Sequence, residues 1–417
     1  MTHITHTRLL RQIRQISVGD AVPQDNTDIS FGIFGGEDFQ RTQVGLHEIA
    51  RCIGKKGVVL IHNDPNIEYS LSRIYSISAQ RNNYVMYLAN SNGSLNSSYD
   101  PLYGLRMADV VDVIAPLSPD TRIMTDVQSL RSTITDYLSI MQWQFSQNSS
   151  AFGDYPFNLN LLIELTAMPY TKLEQNVLAY LPSDLAGSIS TRLSSPEAQQ
   201  RAYNAVLSFA QILSKSLWTR SSAAAHTRLS IIRAVRERNL ISIYVPGSSP
   251  GILDYLSAEL KALNDMSIPY LLVSCGISIQ NSTSFSRLFL DNHTQLNYTT
   301  GILAEDLTGV IGNDPSGSNL TDVFAQTQEM FIFECASVHS ATPFSNGIGQ
   351  YYRRVIETHS ESSRAPFQIF SGRGYGHTEH ETQQAVINPE ELIRLGAGCL
   401  VYGKNYTIPV LVDFLTL

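Results

Sequence analysis

The sequence predicts an α/β protein with a mostly parallel sheet and an all-helical stretch inserted into it. Three observations carry that reading. Residues 29–65 hold an apolar β-rich run, an amphipathic segment and a second apolar run. The same strand–helix alternation returns after residue 240, and residues 120–222 between them keep helical periodicity throughout. In chain order, residues 9–16 are basic and helix-like, and residues 29–34 alternate and end at a Gly35-Gly36 turn. Residues 43–53 then carry Val44, Leu46, Ile49, Ala50 and Ile53 at near-helical spacing, stopped by Gly54 and Gly57. Residues 58–65 read as a buried strand, which completes a βαβ unit with the glycine turn at its first strand-to-helix junction. Residues 84–88 form another extended run, before an Asn/Ser/Gly-rich loop that leads to Asp100-Pro101-Leu102-Tyr103.

The inserted stretch shows one apolar stripe of Ile123, Val127, Leu130, Ile134, Leu138, Met141 and Phe145. A second stripe contains Ala202, Val206, Phe209, Ile212 and Leu213. One more helix is expected over 229–238 and another over 253–263. Strands are expected at 240–246, 270–273, 330–335 and 399–402. The expected organisation is a discontinuous sheet domain, residues 1–119 and 223–417, with an all-α domain of residues 120–222 set into it.

At 417 residues the chain is long enough to bury a large core. Charged residues make up 16%, below the usual ~25%, so much of the surface is neutral and polar, as suits a subunit of an assembly. The net charge of −8 argues against a broad electrostatic grip on nucleic acid, though not against a local basic patch. Cys52, Cys275, Cys335 and Cys399 lie far apart with no C-x-x-C pair, so zinc ribbons and redox motifs are not expected and reduced core cysteines are. The first seven residues lack a continuous apolar core, and no later segment approaches ~18 uninterrupted apolar residues, so neither a signal peptide nor a membrane span is expected.

The turn itself, Gly35-Gly36-Glu37-Asp38-Phe39-Gln40-Arg41-Thr42, is a degenerate match to the phosphate-binding pattern G-x-x-x-x-G-K-[ST]. Gly35 and Thr42 are in register, while Gln40 stands in place of a glycine and Arg41 in place of the lysine. Glu37 and Asp38 put carboxylates where phosphate oxygens belong. Other constellations have plainer readings. His377-Thr378-Glu379-His380-Glu381 holds two imidazoles and two carboxylates, but after the glycine-rich residues 372–376 it reads as a polar loop or helix start rather than a metal site. Glu305-Asp306 reads as an acidic helix start. Trp143 and Trp218 read as core residues, and Cys275 as structural because no histidine is assigned to it.

In order along the chain, these motifs resemble the cytosolic ATPase of the type IV coupling proteins, the TraG/TraD class of conjugation and type IV secretion. The residues that carry the resemblance are the phosphate-loop remnant, Asp64-Pro65-Asn66-Ile67-Glu68-Tyr69, Asp100-Pro101-Leu102, the helical insertion, Leu229-Ser230-Ile231 and Pro389-Glu390-Glu391-Leu392-Ile393-Arg394-Leu395. The resemblance implies a P-loop NTPase-like (RecA-like) sheet. It also implies a buried strand ending in Asp-Glu for Mg²⁺ and water, a position where this chain has Ser274 and Cys275. Family members usually begin with transmembrane helices, which the sequence lacks. The expectation is therefore a cytoplasmic pseudo-ATPase, a structural or adaptor subunit of a coupling apparatus. It would use no ATP, Mg²⁺ or metal, and would reach the inner membrane only through partners. Those partners would be other cytosolic secretion or conjugation ATPases or coupling-complex subunits, in a homo- or hetero-oligomer, with DNA contact left open. The alternatives are an atypical active DNA or protein translocase of the same class and an unrelated α/β small-ligand-binding protein.

Overall fold

The computed structural model describes residues 28–413, apart from 79–84, 90, 94, 96–97, 118–123, 150–152, 216, 219–227, 247–249, 292–296, 313–317, 363–372, 397 and 404–409. The expected helix over 9–16 lies outside these residues. The described residues open with β1 (Phe31–Phe34), α1 (Asp38–Cys52), β2 (Gly57–His62), α2 (Pro65–Ser78) and β3 (Val85–Ala89). Helices alone follow among the described residues: α3 (Met107–Ile114), α4 (Met124–Gln147), α5 (Leu159–Ala167), α6 (Tyr170–Asn176), α7 (Ser183–Leu193) and α8 (Pro196–Ser214), with short 3₁₀ turns between. The chain returns to the sheet through α9 (Ile231–Arg236), β4 (Leu240–Tyr244), α10 (Pro250–Asp265), β5 (Tyr270–Cys275), α11 (Thr283–Leu290), β6 (Tyr298–Ala304), α12 (Leu307–Ile311), α13 (Ser318–Gln326), β7 (Glu329–Ile332) and α14 (Val338–Ile348). A hairpin of β8 (Gln350–Ser362) and β9 (Arg373–Ala385), then α15 (Pro389–Leu392), β10 (Gly398–Gly403) and β11 (Val410–Asp413), completes it.

Among the described residues the main sheet has nine strands in the order β11-β10-β7-β1-β6-β5-β2-β4-β3. From β7 to β3 all neighbours run parallel, and β10 and β11 are antiparallel at one edge. Burial on both faces is why β2 and β5 carry the continuous apolar runs 58–61 and 270–273. Successive side chains serve opposite faces. Val58 and Leu60 pack with Val44, Ile49, Ile67 and Leu71 on one side, while Val59 and Ile61 join the core that includes the helical segment on the other. In that segment Leu130, Ile134, Leu138 and Met141 of α4 and Ala202, Val206, Phe209 and Leu213 of α8 are buried. Trp218 is buried and Trp143 packs against the same core, as expected.

A parallel bridge pairs Tyr99 with Leu229, through Asp100 N–H to Leu229 O at 2.9 Å and Leu229 N–H to Ser98 O at 2.8 Å. The two ends of the helical segment are thus pinned to each other. Asp100, at this junction, accepts from Asn158 Nδ2 at 3.1 Å and from Leu102 N–H at 3.2 Å, and stands 3.6 Å from the Arg228 guanidinium.

Three expectations need correction. The polar run at 377–381 and the glycines from 374 to 376 are neither turn nor helix start, because they lie in β9, paired residue for residue with β8. Cross-strand hydrogen bonding, which needs no apolar face, overrides the glycine signal. Leu229 is in the bridge rather than in a helix, so that helix shortens to α9, capped by Ser230. The helix expected from residue 43 begins five residues earlier, at Asp38.

Candidate functional site

The geometry of the glycine turn follows from where α1 starts. Strand β1 ends at Phe34 and α1 begins at Asp38, so only Gly35, Gly36 and Glu37 connect them. Residues 38–40, which in a phosphate-wrapping loop would still belong to the loop, are already helical. Gln40 is the third helical residue, and its Oε1 accepts from the Glu37 N–H at 2.9 Å. The position that lacks the loop glycine is therefore used to cap the helix.

Gly35 and Gly36 have φ of 74° and 62°, the left-handed region that glycine enters without strain. Their N–H groups do not face a hollow. Gly35 donates to Glu305 O at 3.0 Å and Gly36 to Glu334 O at 2.8 Å, tying the turn to the ends of β6 and β7. Arg41 is buried, and its Nη1 donates to the carbonyls of Gly35 at 2.7 Å and Gly36 at 2.6 Å, while Nη2 pairs with Asp38. A phosphate loop works by aiming unpaired N–H groups and a cation at the anion. Here the glycine donors and the cation are all engaged by the protein.

This arrangement makes a prediction for stability. Arg41→Ala is expected to cost about 1–3 kcal/mol, since two carbonyls and a carboxylate lose a buried donor. Arg41→Lys should recover only part, because an ammonium cannot bridge both carbonyls and Asp38 as the guanidinium fork does. Urea unfolding of the two variants checks this; full recovery by lysine would show that the fork has no role.

Ser274 and Cys275 end β5, two strands from β1 with β6 between. Both are buried, and the Ser274 hydroxyl donates to Ile277 O at 3.4 Å. Burial pushes the Cys275 thiol up to about 12, with Asp64 raising it further and Arg41 opposing. No thiolate forms there near neutral pH, so neither residue supplies an anionic metal ligand. The other three cysteines are also buried and unbridged.

The carboxyl ends of β1, β6, β5 and β2 leave a cleft of about 420 Å³, the edge at which open parallel sheets take ligands. Arg41, Thr42 and Cys275 line it, together with Asp38, Asp64, Glu305 and Asp306. Ser274, Gln40 and the two glycines are not among its lining residues. Asp306 caps α12, accepting from the Gly309 N–H and from Thr308 Oγ1 at 2.9 Å, so the acidic helix start expected from the sequence is present. Four carboxylates face one already paired guanidinium. Among the described residues no group of three or more His, Cys, Asp or Glu side chains is placed to hold a metal ion. The residues present do not fit a nucleotide with Mg²⁺: the glycine donors and the guanidinium are engaged, and the other charged residues of the lining are all acidic.

The sequence reading did not anticipate β6, which carries Glu305 and Asp306 to the cleft, nor the two carbonyls that close the turn. Glu37-x-x-Gln40 was the local signal for an earlier helix start.

Fold and edge cleft together define a P-loop NTPase-like α/β protein with a long helical insertion. Among solved structures, the bacterial conjugative coupling protein TrwB (TrwBΔN70, unbound monoclinic form) superposes over 98% of this chain and 91% of its own, with TM-score 0.51 at 10% identity. TrwB with ADP and Mg²⁺ gives 0.48 at 10% identity over 99% and 92%. VirB4 of Thermoanaerobacter pseudethanolicus gives 0.38 at 9% over 76% and 80%. No protein-family profile and no curated protein sequence matches the chain. Among the described residues, no helix is long and apolar enough to cross a membrane.

Proposed function

We propose that this chain is a pseudo-ATPase, a degenerate coupling-ATPase relative that acts as a structural or adaptor subunit of a conjugation or type IV secretion coupling apparatus. One observation carries the loss of nucleotide chemistry: Gly35 and Gly36 N–H and the Arg41 guanidinium are all bonded to protein oxygens. The likeness of the fold to a conjugative coupling protein supports the setting. Ser274 and Cys275 support the same reading, since the strand end where the resemblance places an acidic pair has no carboxylate to hold a metal or activate water. In this reading residues 120–222 are a partner-facing helical unit on a sheet domain of residues 1–119 and 223–417. The protein acts in the cytoplasm, and its partners are cytosolic ATPases or other subunits of the same apparatus.

The test is nucleotide binding. A ligand at a hundred times its Kd stabilises the fold that binds it by ~2.7 kcal/mol, so millimolar ATP with Mg²⁺ is expected to leave the melting temperature unchanged and to release no phosphate. A raised melting temperature with turnover would instead establish an active translocase. Pulldown with coupling-apparatus subunits tests the adaptor role, and a chain that binds none of them would reject it.

A further inference from the structure

The acidic cleft has a feature that loss of nucleotide binding does not explain. The carboxylates of Asp64, Glu305 and Asp306 have no cationic partner among the described residues, and the cleft's one guanidinium is turned toward Gly35, Gly36 and Asp38. The surface is also apolar along the same edge. Four large hydrophobic side chains are exposed among the described residues: Phe39, Tyr69, Val338 and Tyr180. Three of them sit where helices leave the carboxyl edge of the sheet, Phe39 in the first turn of α1, Tyr69 one turn beyond the cleft-lining Pro65 in α2, and Val338 at the start of α14. Single exposed hydrophobics are ordinary. Three on the edge that also carries uncompensated carboxylates make a surface of defined chemistry.

We propose that this edge is a docking site for an arginine- or lysine-bearing segment of a partner protein, with the cationic side chain in the cleft and apolar neighbours against Phe39 and Tyr69. The inference rests on the reading that no nucleotide occupies the cleft. Charge complementarity selects the occupant: anions, nucleic acid among them, meet Asp64, Glu305 and Asp306, whereas a guanidinium or ammonium meets three carboxylates, the cleft's own Arg41 being paired with Gly35 O, Gly36 O and Asp38. Phe39 and Tyr69, exposed on the helices that leave this edge, supply apolar contact area for the residues that flank the cation.

The experiment uses the full chain and a fluorescein-labelled peptide, Leu-Arg-Leu-Arg-Leu-Gly, read by anisotropy, with Leu-Glu-Leu-Glu-Leu-Gly as its counterpart. The arginine peptide is expected to bind with Kd on the order of 10–100 μM at low salt and to weaken as salt is raised. The combined change Asp64→Asn and Glu305→Gln is expected to weaken it about tenfold or more, the equivalent of two charge-assisted contacts. Phe39→Ala, at an exposed position, should weaken it several-fold and leave the melting curve in place. Equal binding by the glutamate peptide, unchanged affinity in the double variant, or no saturation at millimolar peptide would each overturn the proposal. Adding ATP with Mg²⁺ separates the two readings. Displacement of the peptide by ATP together with a raised melting temperature sinks the pseudo-ATPase reading, while silence toward both peptide and ATP sinks the docking site alone.

Discussion

Replacing Glu259 by alanine is expected to destabilise the protein by about 3–5 kcal/mol, measured by urea unfolding at pH 6. Glu259 is fully buried on α10, and its Oε2 accepts from Tyr255 Oη at 2.7 Å and from Tyr99 Oη at 3.1 Å, while Oε1 accepts from the Ile231 N–H at 3.1 Å. Tyr99 and Tyr255 are fully buried and bonded to each other. Truncation would leave the two phenols and the first turn of α9 without their acceptor, at the place where the helical segment is pinned to the sheet. Glu259→Gln keeps the shape and one acceptor, so a loss nearer 1–2 kcal/mol is expected. The glutamine variant also tests a pH effect. Burial raises the Glu259 carboxyl to about 7, opposed by the hydrogen bonds it accepts. A carboxyl raised in the fold above its unfolded value stabilises fully below the unfolded pKa of about 4.5, and that stability is lost as pH rises through about 7. The amount is roughly 3 kcal/mol. Glu48, raised to about 7, and Asp100, raised to about 6, act in the same direction, again through burial. His62, lowered by burial to about 4, acts oppositely, and its contribution is lost as pH falls through that value. Wild type should therefore lose stability between pH 5 and 8, and Glu259→Gln should lose distinctly less over that span. An alanine variant within 1 kcal/mol of wild type, or parallel pH profiles, would refute the role given to this carboxyl.

The parts of this fold that were legible in the sequence are those where burial writes a local pattern. Val58 to Ile61 and Tyr270 to Val273 are apolar without interruption because helices cover both faces of their strands. The stripes of α4 and α8 show because one side of each helix meets the core. β6 was hidden: Thr299, Thr300 and Gly301 break its apolar run, yet Lys56 Nζ bonds to Thr299 Oγ1 at 2.6 Å and the Thr300 N–H to Ser30 Oγ at 3.0 Å. Those partners lie some 240–270 residues away, so no local pattern announces them. The hairpin of β8 and β9 was hidden for a different reason. Residues 350–362 and 373–385 mix polar, charged and glycine residues in sequence, so no apolar alternation marks them as strands. At the candidate site the residue substitutions were legible, and they pointed to a damaged phosphate loop. The manner of closure was not, because it depends on Glu305 O and Glu334 O arriving from the ends of β6 and β7. Those arrivals also change what Gly35 is for.

Gly35→Ala is expected to cost about 3–5 kcal/mol through packing and backbone strain alone. A Cβ on Gly35 would lie 2.7 Å from Phe333 O and 2.9 Å from Glu334 O, both main-chain atoms that cannot swing aside. To make room the end of β1 would have to part from β7, breaking the bonds from Phe333 N–H to Phe34 O at 2.8 Å and from Gly36 N–H to Glu334 O at 2.8 Å. The φ of 74° adds the left-handed strain of any Cβ-bearing residue, about 1–2 kcal/mol. Gly153 separates the two terms. It has φ 76° and nothing within 4 Å of an added Cβ, so Gly153→Ala should show the strain alone. Urea unfolding of both variants at one pH gives the difference directly, and equal losses would remove the packing argument. A larger loss at Gly35, with ATP still silent toward wild type, would mean that this glycine is held by strand-to-strand approach. The turn can then keep one residue of a phosphate loop for a reason unrelated to phosphate. Neighbouring Gln40 and Arg41 then serve the helix cap and the carbonyls of the same turn.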